Sequence, residues 1–462
     1  MGSLAGRDLG VLGLARSGLA AARLALARGA IVYASDAGDG PAVREAAERV
    51  RALGGEAQTG GHDLERLARC DTIVLSPGIP PTALILRDPR IAHVPVVAEV
   101  ELAFGELESP VVAVTGTNGK TTVTALAEHL LRAAGIDAAA GGNIGTALSE
   151  VALREPQPQV AVVEVSSFQL AMTRGFAPRV GVLTNLAPDH LDWYPDVEAY
   201  YADKARLFRN AAPDSLWVLN AEDRRARELP SDAPGTRYYF RAASDPEEGE
   251  RGGFVTPDGW LTLRMDGERE EPLVPARELQ ILGPHNVANA LAAAVAARLA
   301  GADAEALGTG LRTFEAPPHR LQPVAERDGV LWVNDSKATN LASTRVAVQG
   351  MTRPTVLLLG GKHKGESYAG LLPELEQGVR LVIAYGEAAP LVQADLRGRV
   401  PVERVDGPFE AVVRRAREAA RPGDAVLLSP ACSSYDMFSS YEERGMRFVE
   451  LVTGEDHADD RA

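Results

Sequence analysis

The run TGTNGKTT at residues 115–122 has the composition of a phosphate-binding loop. It follows the apolar run Val111–Val114 and precedes a stretch of helical composition. Glycines in such a turn let backbone N–H groups approach phosphate oxygens, and the amino end of the helix attracts an anion. Lys120 is then placed to reach the β- and γ-phosphates, and the Thr121 hydroxyl to bind Mg²⁺. Val114 replaces the first glycine of the full pattern, but the strand–loop–helix context predicts a nucleotide site.

Lysine is rare in this chain. Of 48 basic residues only five are lysine, and the other 43 are arginine. A lysine supplies what arginine cannot, namely a compact ammonium or an amine that can lose its proton and react. All five lysines lie in or beside sequence motifs. This placement favours a functional role for them over the alternative that they merely remain in an arginine-rich composition. They are Lys120, Lys204, Lys337, Lys362 and Lys364.

Two further motifs bring possible metal ligands to the ends of predicted strands. Glu164 lies in the apolar run Val160–Val165, and His190 lies in NLAPDHLD after the strand Val180–Leu183. A carboxylate at the carboxyl end of a strand beside a nucleotide loop is well placed for a metal ion. Both side chains also have a structural interpretation, as an acid satisfied at a strand end and as a lone structural histidine.

The last third of the chain repeats the order of strand, polar turn and helix three times. PHR at 318–320 comes before them, and the three turns contain NDSKATN at 334–340, GGKHKG at 360–365 and SPACSSYDMF at 429–438. Ligands of open α/β sheets bind outside the carboxyl ends of the strands, where all these turns are expected. Here Asp335 can cap a helix or bind a ribose or a metal, and Lys337 can meet an anion.

The first turn of the chain is a weak dinucleotide fingerprint. Residues 13–18 read GLARSG, with alanine at the centre of the glycine pattern, and Asp36 ends the next strand. The same physics suits a nucleoside diphosphate sugar, because only the diphosphate is held. A tight strand-to-helix turn that binds nothing is the alternative.

These motifs are positioned by alternating apolar runs and helical stretches, which predict an α/β protein of three domains. We expect a Rossmann-like amino-terminal domain at 1–98 and a central, mostly parallel P-loop ATPase-type domain at 99–316. A Rossmann-like carboxyl-terminal domain is expected at 317–462, after the hinge-like Pro317. Residues 240–275 are polar and Gly-rich, and we expect a surface β-meander or a loop excursion outside the core.

Composition excludes several classes of function. The net charge is −15, whereas a nucleic-acid coat or an anionic-membrane binder normally has a basic excess. Two cysteines cannot form a disulfide framework, and no apolar run has the length of a membrane span. The amino terminus lacks the pattern of a secretory leader. We therefore expect a cytoplasmic protein, without membrane insertion and without a nucleic-acid partner.

Taken together, the motifs resemble the Mur ligase family of cell-wall synthesis. TGTNGKTT, EVSSFQL, NLAPDHLD, GPHNVANAL, PHR and SPACSSYD occur in the family's order and extend over nearly the whole chain. NDSKATN and the GLARSG start resemble the members that add D-glutamate to UDP-N-acetylmuramoyl-L-alanine. An Asn-Pro-Arg motif, expected of the members that add diaminopimelate, is missing from the sequence. The resemblance implies an ATP-dependent acid–amino-acid ligase with an acyl-phosphate intermediate, acting in peptidoglycan synthesis as a monomer.

The resemblance also implies roles for individual residues. Lys120, His190 and Lys204 would take part directly in the chemistry. The residues implied for ATP are Gly116, Thr117, Asn118, Gly119, Lys120, Thr121, Thr122, Asn286, Asn289, Arg320 and Asp335. Those implied for two Mg²⁺ sites are Thr121, Glu164, His190 and Lys204 as a carbamate. Those implied for the substrates are Arg16, Ser17, Asp36, Asn143, Ser166, Lys337, Thr339, Lys364, Ser434 and Tyr441.

The residue type is informative by itself at two of these positions, Lys204 and Tyr441. Lys204 lies in ADKARLFR, where arginine would supply a generic charge, and only an amine can add CO₂ to form a carbamate. An ordinary solvent-facing lysine is the alternative. Tyr441 occupies a position that is often phenylalanine in the family, so its contact with D-glutamate is the least secure.

Two other functions stay open at this point. One is a related ATP-dependent ligase that adds a different amino acid, such as a folate polyglutamate ligase, which has no need of a UDP-binding first domain. The other is a non-catalytic nucleotide-binding regulator, which has no use for five lysines around one site.

Overall fold

The computed structural model describes residues 3–79, 83–143, 145–190 and 193–454, so Asp192, the last residue of the NLAPDHLD motif, lies outside the described residues. The described residues contain three sheets, with five, nine and six strands. They fall into two compact units. The first comprises the chain up to Arg277 together with Ala288–Arg312, and the second comprises Glu278–Val287 and the chain from Thr313 onward.

The amino-terminal sheet has the strand order β3-β2-β1-β4-β5 and is parallel throughout. Its strands are β1 (Asp8–Leu12), β2 (Ile31–Ser35), β3 (Glu56–Gln58), β4 (Thr72–Leu75) and β5 (Val96–Ala98). Its helices are α1 (Arg16–Ala27), α2 (Pro41–Ala52) and α3 (Leu64–Leu67). The order reverses at β1, so the turn after β1 lies at a topological switch point, where open α/β sheets bind ligands.

The middle sheet has the order β14-β13-β12-β11-β10-β9-β6-β8-β7. Its strands are β6 (Val111–Thr115), β7 (Ala138–Gly142), β8 (Val160–Glu164), β9 (Val180–Leu183), β10 (Leu216–Asn220), β11 (Thr236–Arg241), β12 (Gly252–Val255), β13 (Trp260–Arg264) and β14 (Glu270–Pro275). The accompanying helices are α4 (Glu99–Phe104), α5 (Lys120–Ala133), α6 (Leu148–Ala152), α7 (Ser167–Ala171), α8 (Val197–Ala205), α9 (Arg224–Glu228), α10 (Pro284–Leu299) and α11 (Ala304–Thr313). Strands β6, β8 and β9 are buried at every residue and apolar except for the last residue of β6 and of β8, as expected for parallel strands covered on both faces.

The expectation for residues 240–275 was wrong in one respect. The segment does form a meander, because β12, β13 and β14 pair antiparallel, but it extends the middle sheet instead of lying outside the core. Phe254, Leu261 and Leu263 are buried on it. Short strands separated by polar, Gly-rich turns hid this in the sequence, although consecutive residues of β13 are buried on both of its faces.

The carboxyl-terminal sheet has the order β15-β16-β20-β17-β18-β19, and only β15 pairs antiparallel. Its strands are β15 (Gln322–Arg327), β16 (Val330–Asn334), β17 (Thr355–Gly360), β18 (Val379–Tyr385), β19 (Val402–Arg404) and β20 (Ala425–Leu428). Its helices are α12 (Leu341–Gln349), α13 (Leu372–Gly378), α14 (Ala389–Asp395), α15 (Phe409–Ala419) and α16 (Tyr441–Thr453). The turns after β16, β17 and β20, three adjacent strands, therefore meet at one edge.

The α/β class with three mostly parallel sheets is confirmed, whereas the domain boundaries at 98/99 and 316/317 stay predictions. Within the described part of the chain, no helix is both long and apolar enough to cross a membrane.

One buried acid joins two helices of the first unit. Glu99, at the start of α4, is fully buried, and its Oε1 accepts hydrogen bonds from the backbone N (2.6 Å) and Oγ (2.5 Å) of Ser149 on α6. Its Oε2 is buried without a hydrogen-bond partner. Burial raises the pKa of Glu99 to about 7, because the charged form is poorly solvated there.

Candidate active site

The loop at 115–122 connects β6 to α5, as the sequence predicts. Two of its glycines are required by close contacts. A Cβ on Gly116 (φ 143°) would lie 1.9 Å from Thr184 Oγ1, and one on Gly119 (φ 82°) would lie 2.3 Å from Asn289 Oδ1. Both residues also have the positive φ that side chains disfavour. Asn289 of α10 therefore packs directly on the loop.

Side chains after β9 fasten this loop. Asn185 Oδ1 accepts a hydrogen bond from the backbone N of Asn118 (2.9 Å), and Thr184 Oγ1 donates to the Asn118 carbonyl (2.6 Å). Thr117 Oγ1 donates to the Ala187 carbonyl (3.1 Å). The sequence analysis missed Thr184 and Asn185, because their roles depend on β9 pairing with β6.

Lys120 is the first residue of α5, and its side chain folds back over the loop. Its Nζ donates to the carbonyl oxygens of Gly116 (2.9 Å) and Thr117 (2.7 Å). Thr121 and Thr122 follow it in the first turn and are both buried. The loop thus combines an ammonium, two hydroxyl side chains and the amino end of a 14-residue helix, which is the chemistry of a phosphate site.

Glu164 ends β8 next to this loop and is 2% exposed. Its Oε1 accepts a hydrogen bond from Asn143 Nδ2 (2.9 Å), whereas its Oε2 is buried without a hydrogen-bond partner. A buried carboxylate oxygen without a donor is costly unless a cation satisfies it. Glu164 therefore fits a hard divalent cation such as Mg²⁺.

Lys204, near the end of α8, is 1% exposed, so the solvent-facing alternative does not apply. Its Nζ donates to the Gly116 carbonyl (2.7 Å) and lies 4.6 Å from the centre of the Tyr200 ring. Burial first, and then the nearby charge of Lys120, lower the pKa of Lys204 well below its usual value. A lower pKa favours the neutral amine, which is the nucleophilic form.

His190 lies in the segment after β9 with a left-handed backbone (φ 55°), which is uncommon for a non-glycine residue. Its side chain is 45% exposed, and its Nε2 is 3.7 Å from Asp189 Oδ2. The ring meets Phe168 edge-on at 5.1 Å between centres. Among the described residues no group of three His, Cys, Asp or Glu side chains is close enough to hold a metal.

The remaining predicted substrate residues of the first unit follow three strands, β1, β2 and β8. Asp36 follows β2, and its carboxylate accepts from the backbone N of Leu14 (2.7 Å) and Gly38 (2.8 Å), so it shapes the turn after β1. Arg16 and Ser17 open α1 at that turn, with the Arg16 side chain exposed. Ser166 caps α7 through a reciprocal pair with Gln169, which gives it a structural role.

In the second unit, Asp335 follows β16 and is buried. Its carboxylate accepts from Ser429 Oγ (2.8 Å) and from the backbone N of Leu321 (3.1 Å). Burial raises the pKa of Asp335 to about 7, although both hydrogen bonds act the other way. Arg320 lies beside this segment, and Asn286 lies in the first turn of α10, where its Nδ2 donates to the Leu282 carbonyl (2.7 Å).

The structure brings together most of the residues predicted for the amino acid. Lys364 Nζ donates to Thr339 Oγ1 (3.3 Å), and Lys337 Nζ lies 5.5 Å from the centre of the Tyr441 ring. Ser434 is buried in the turn after β20. Two lysines, two hydroxyl groups and a phenol thus lie at the edge formed by three strand ends, which suits an anionic ligand.

Arg444 of α16 organises this edge and was missed by the sequence analysis. It is fully buried, and its guanidinium donates to Ser336 Oγ (2.9 Å), the Ser336 carbonyl (2.8 Å) and the Cys432 carbonyl (3.1 Å). It therefore ties the turn of Lys337 to the turn of Ser434. Sequence gives no signal for it, because an arginine in a helix of alternating charge is normally exposed.

Known proteins share this architecture. Family models match residues 7–98 (Mur ligase MurD-like, N-terminal domain), 114–297 (Mur ligase middle domain) and 319–432 (Mur ligase, glutamate ligase domain). A structure of a pseudomurein peptide ligase type C from Methanothermus fervidus has a TM-score of 0.61 at 20% identity, covering 96% of this chain and 100% of that one. That likeness shows the fold alone.

The sequence identity between this chain and curated relatives shows its family. A UDP-N-acetylmuramoylalanine–D-glutamate ligase from Salinibacter ruber is 42% identical, covering 96% of this chain and 96% of its own length. One of the same name from Anaeromyxobacter dehalogenans is also 42% identical, covering 97% and 98%. This chain belongs to the Mur ligase family.

Proposed function

We propose that this chain is an ATP-dependent ligase that joins D-glutamate to UDP-N-acetylmuramoyl-L-alanine in cytoplasmic peptidoglycan precursor synthesis. The observation that carries the proposal is the arrangement around one phosphate loop. A buried lysine amine lies 2.7 Å from the Gly116 carbonyl, and a buried Glu164 oxygen without a hydrogen-bond partner ends the neighbouring strand. The names of the curated relatives supply the substrates.

The first step transfers the γ-phosphate of ATP to the terminal carboxylate of the muramoyl-alanine substrate. Two negatively charged groups must approach each other in a protein with net charge −15, so fixed cations are required. Lys120, held over the loop by two carbonyl groups, supplies one of them. The loop's backbone and the helix amino end hold the phosphates in place.

The residues that would hold Mg²⁺ are Thr121, Glu164, His190 and, as a carbamate, Lys204. The ion would neutralise phosphate charge and orient the transferred group. The free oxygen of Glu164 supports this assignment. Addition of CO₂ to the neutral Lys204 amine would release one proton and supply the further oxygen ligands. The second Mg²⁺ site and the carbamate are both part of the proposal.

In the second step the amine of D-glutamate attacks the acyl phosphate, the amide bond forms, and phosphate leaves. We assign the binding of D-glutamate to Lys337, Thr339, Lys364, Ser434 and Tyr441. The contact between Lys364 and Thr339 supports a common pocket. The amino acid carries two carboxylates, and the two lysines offset their charge. Tyr441 adds a hydroxyl to the ring that is usual in the family.

The remaining assignments concern the other residues that bind ATP and those that bind the UDP and muramoyl groups of the substrate. Asn289 packs on the phosphate loop, which supports its assignment to ATP. The assignment of Asn286, Arg320 and Asp335 to ATP rests on the resemblance to the family. The UDP group is assigned to Arg16, Ser17 and Asp36 at the switch point of the first sheet, and the muramoyl group to Asn143 and Ser166. The monomeric state stays a prediction.

The test is a reconstituted reaction with the full chain, ATP, Mg²⁺, UDP-N-acetylmuramoyl-L-alanine and D-glutamate. The proposal predicts one ADP and one phosphate for each new amide, with a product heavier by one glutamate residue in mass spectrometry. ATP hydrolysis without a new amide would contradict the ligase function.

A further inference from the structure

Three side chains form a hydrogen-bonded chain behind the turn that carries Lys364. His363 Nδ1 lies 3.0 Å from Tyr368 Oη, and Tyr368 Oη lies 2.9 Å from Cys432 Sγ. Tyr368 is 1% exposed and Cys432 is fully buried, whereas His363 is half-buried at the outer end. The proposed function uses none of these three residues.

The chain of contacts links two turns that belong to different strands. His363 and Tyr368 lie in the turn after β17, and Cys432 lies in the turn after β20, two residues before Ser434. Lys362 N also donates to the Ser433 carbonyl (2.9 Å), so the two turns are already in register at their base. The Tyr368 hydroxyl adds a second point of attachment.

The far side of the turn is fixed as well. Asp395 Oδ2 accepts from the backbone N of Tyr368 (2.8 Å) and from Ser367 Oγ (2.9 Å). Tyr368 is thus held in place by its own backbone, and its hydroxyl holds His363, the residue next to Lys364. Removal of that hydroxyl leaves Tyr368 in position but releases the middle of the turn.

A second buried tyrosine shows that this arrangement is specific. Tyr385, at the end of β18, is also 1% exposed, yet its hydroxyl has no hydrogen-bond partner in the part of the chain that the structure describes. Burial of a hydroxyl costs free energy unless it is hydrogen-bonded. The Tyr368 hydroxyl therefore has two polar partners, whereas the Tyr385 hydroxyl is buried near the Arg444 guanidinium without a hydrogen bond to it.

We infer that Tyr368 is a positioning residue for the amino-acid pocket, fixing the turn of Lys364 against the turn of Ser434. The inference rests on the proposed function, since it concerns the same pocket. It predicts that the Tyr368 hydroxyl sets the affinity for the incoming amino acid and has little effect on ATP.

The test compares Tyr368→Phe with Tyr385→Phe, which removes the same group from an equally buried ring. For Tyr368→Phe we expect the KM for D-glutamate to rise about threefold to tenfold, the range that one hydrogen bond commands. The KM values for ATP and for the UDP substrate should stay within about twofold of the wild type, and all three should do so in Tyr385→Phe.

A purely structural role would give a different result. If all three KM values rise together with a lower unfolding temperature, or if the KM for D-glutamate does not change, the inference fails. Should Tyr368→Phe not fold, His363→Ala decides, because it removes the outer end of the same chain. A rise in the KM for D-glutamate alone supports the inference, and an unchanged value overturns it.

The proposed function and the inference about Tyr368 are contradicted by different results. A wild-type enzyme that makes no amide with D-glutamate contradicts the proposed function. A wild-type enzyme that does so, with Tyr368→Phe indistinguishable from Tyr385→Phe, contradicts only the inference about Tyr368.

Discussion

The Nζ atom of Lys204 lies 2.7 Å from the carbonyl oxygen of Gly116, although 88 residues separate them in the sequence. The contact brings a buried amine from α8 to the first glycine of the phosphate loop. Lys120 shares the same carbonyl (2.9 Å), so two lysines lie on one loop. Their mutual repulsion, added to burial, favours loss of a proton from Lys204.

Lys204→Ala should be nearly inactive, because it removes the oxygen ligands that the proposed carbamate supplies. Short carboxylates such as acetate should restore part of the activity by filling the vacated space. The measurement is phosphate release against acetate concentration. The arginine variant Lys204→Arg is the matched control. It retains a positive charge but cannot form a carbamate, and wild-type activity in that variant would rule the carbamate out.

Lys120→Ala should abolish formation of the acyl phosphate. Removal of one preorganised cation from a transferred phosphoryl group typically costs about 3 kcal/mol or more, which is over 100-fold in kcat. Single-turnover phosphate release at saturating ATP measures it, with the unfolding temperature as a check on folding. Turnover within about tenfold of the wild type would exclude the assigned role.

Lys364→Ala should weaken D-glutamate binding, because it removes a cation that contacts Thr339. We expect the KM for D-glutamate to rise about tenfold or more, as for loss of a charge-assisted hydrogen bond. Lys362→Ala is the matched control, because Lys362 is two residues earlier in the same exposed turn and its side chain has no assigned role, while its backbone contact with Ser433 is retained. Equal effects of the two substitutions would remove the basis for assigning Lys364.

The variant Glu99→Gln tests whether the raised pKa of the buried Glu99 makes the stability of the protein depend on pH. The folded-state pKa of about 7 lies above that of an unfolded glutamate, so protonation favours the folded state. The stability contribution of Glu99 is fully present below about pH 4.3 and is lost as the pH rises through about 7.

The wild-type unfolding temperature should therefore fall between about pH 5 and pH 8 by more than that of Glu99→Gln, which carries no titrating group at this position. Differential scanning calorimetry at several pH values measures the difference. Parallel pH dependences for the two proteins would show that Glu99 is ionised throughout.

Much of the fold could be predicted because the parallel strands are continuous apolar runs bounded by turn residues. Val180–Leu183 has the bounds that the sequence indicates, and the run Val111–Val114 ends one residue before β6 does. Short edge strands such as β3 and β19 were missed, because three residues of mixed polarity carry no periodic signal.

The candidate site likewise contains residues that the sequence predicts and residues that it does not. The loop at 115–122 is local in sequence, so its glycines, lysine and threonines could be assigned before the structure was known. The burial of Lys204 and the contacts of Arg444 depend on the packing of distant elements, which no spacing along the chain encodes. The roles assigned to individual residues stay predictions until the variants are measured.

The measurement that tests the central claim most directly is a panel of amino acids. Phosphate release is followed with ATP, Mg²⁺ and UDP-N-acetylmuramoyl-L-alanine, in the presence of D-glutamate, L-glutamate, L-lysine or diaminopimelate. The account predicts rapid release with D-glutamate and background rates with the other three. Release that is faster with another amino acid, or independent of any amino acid, would contradict it.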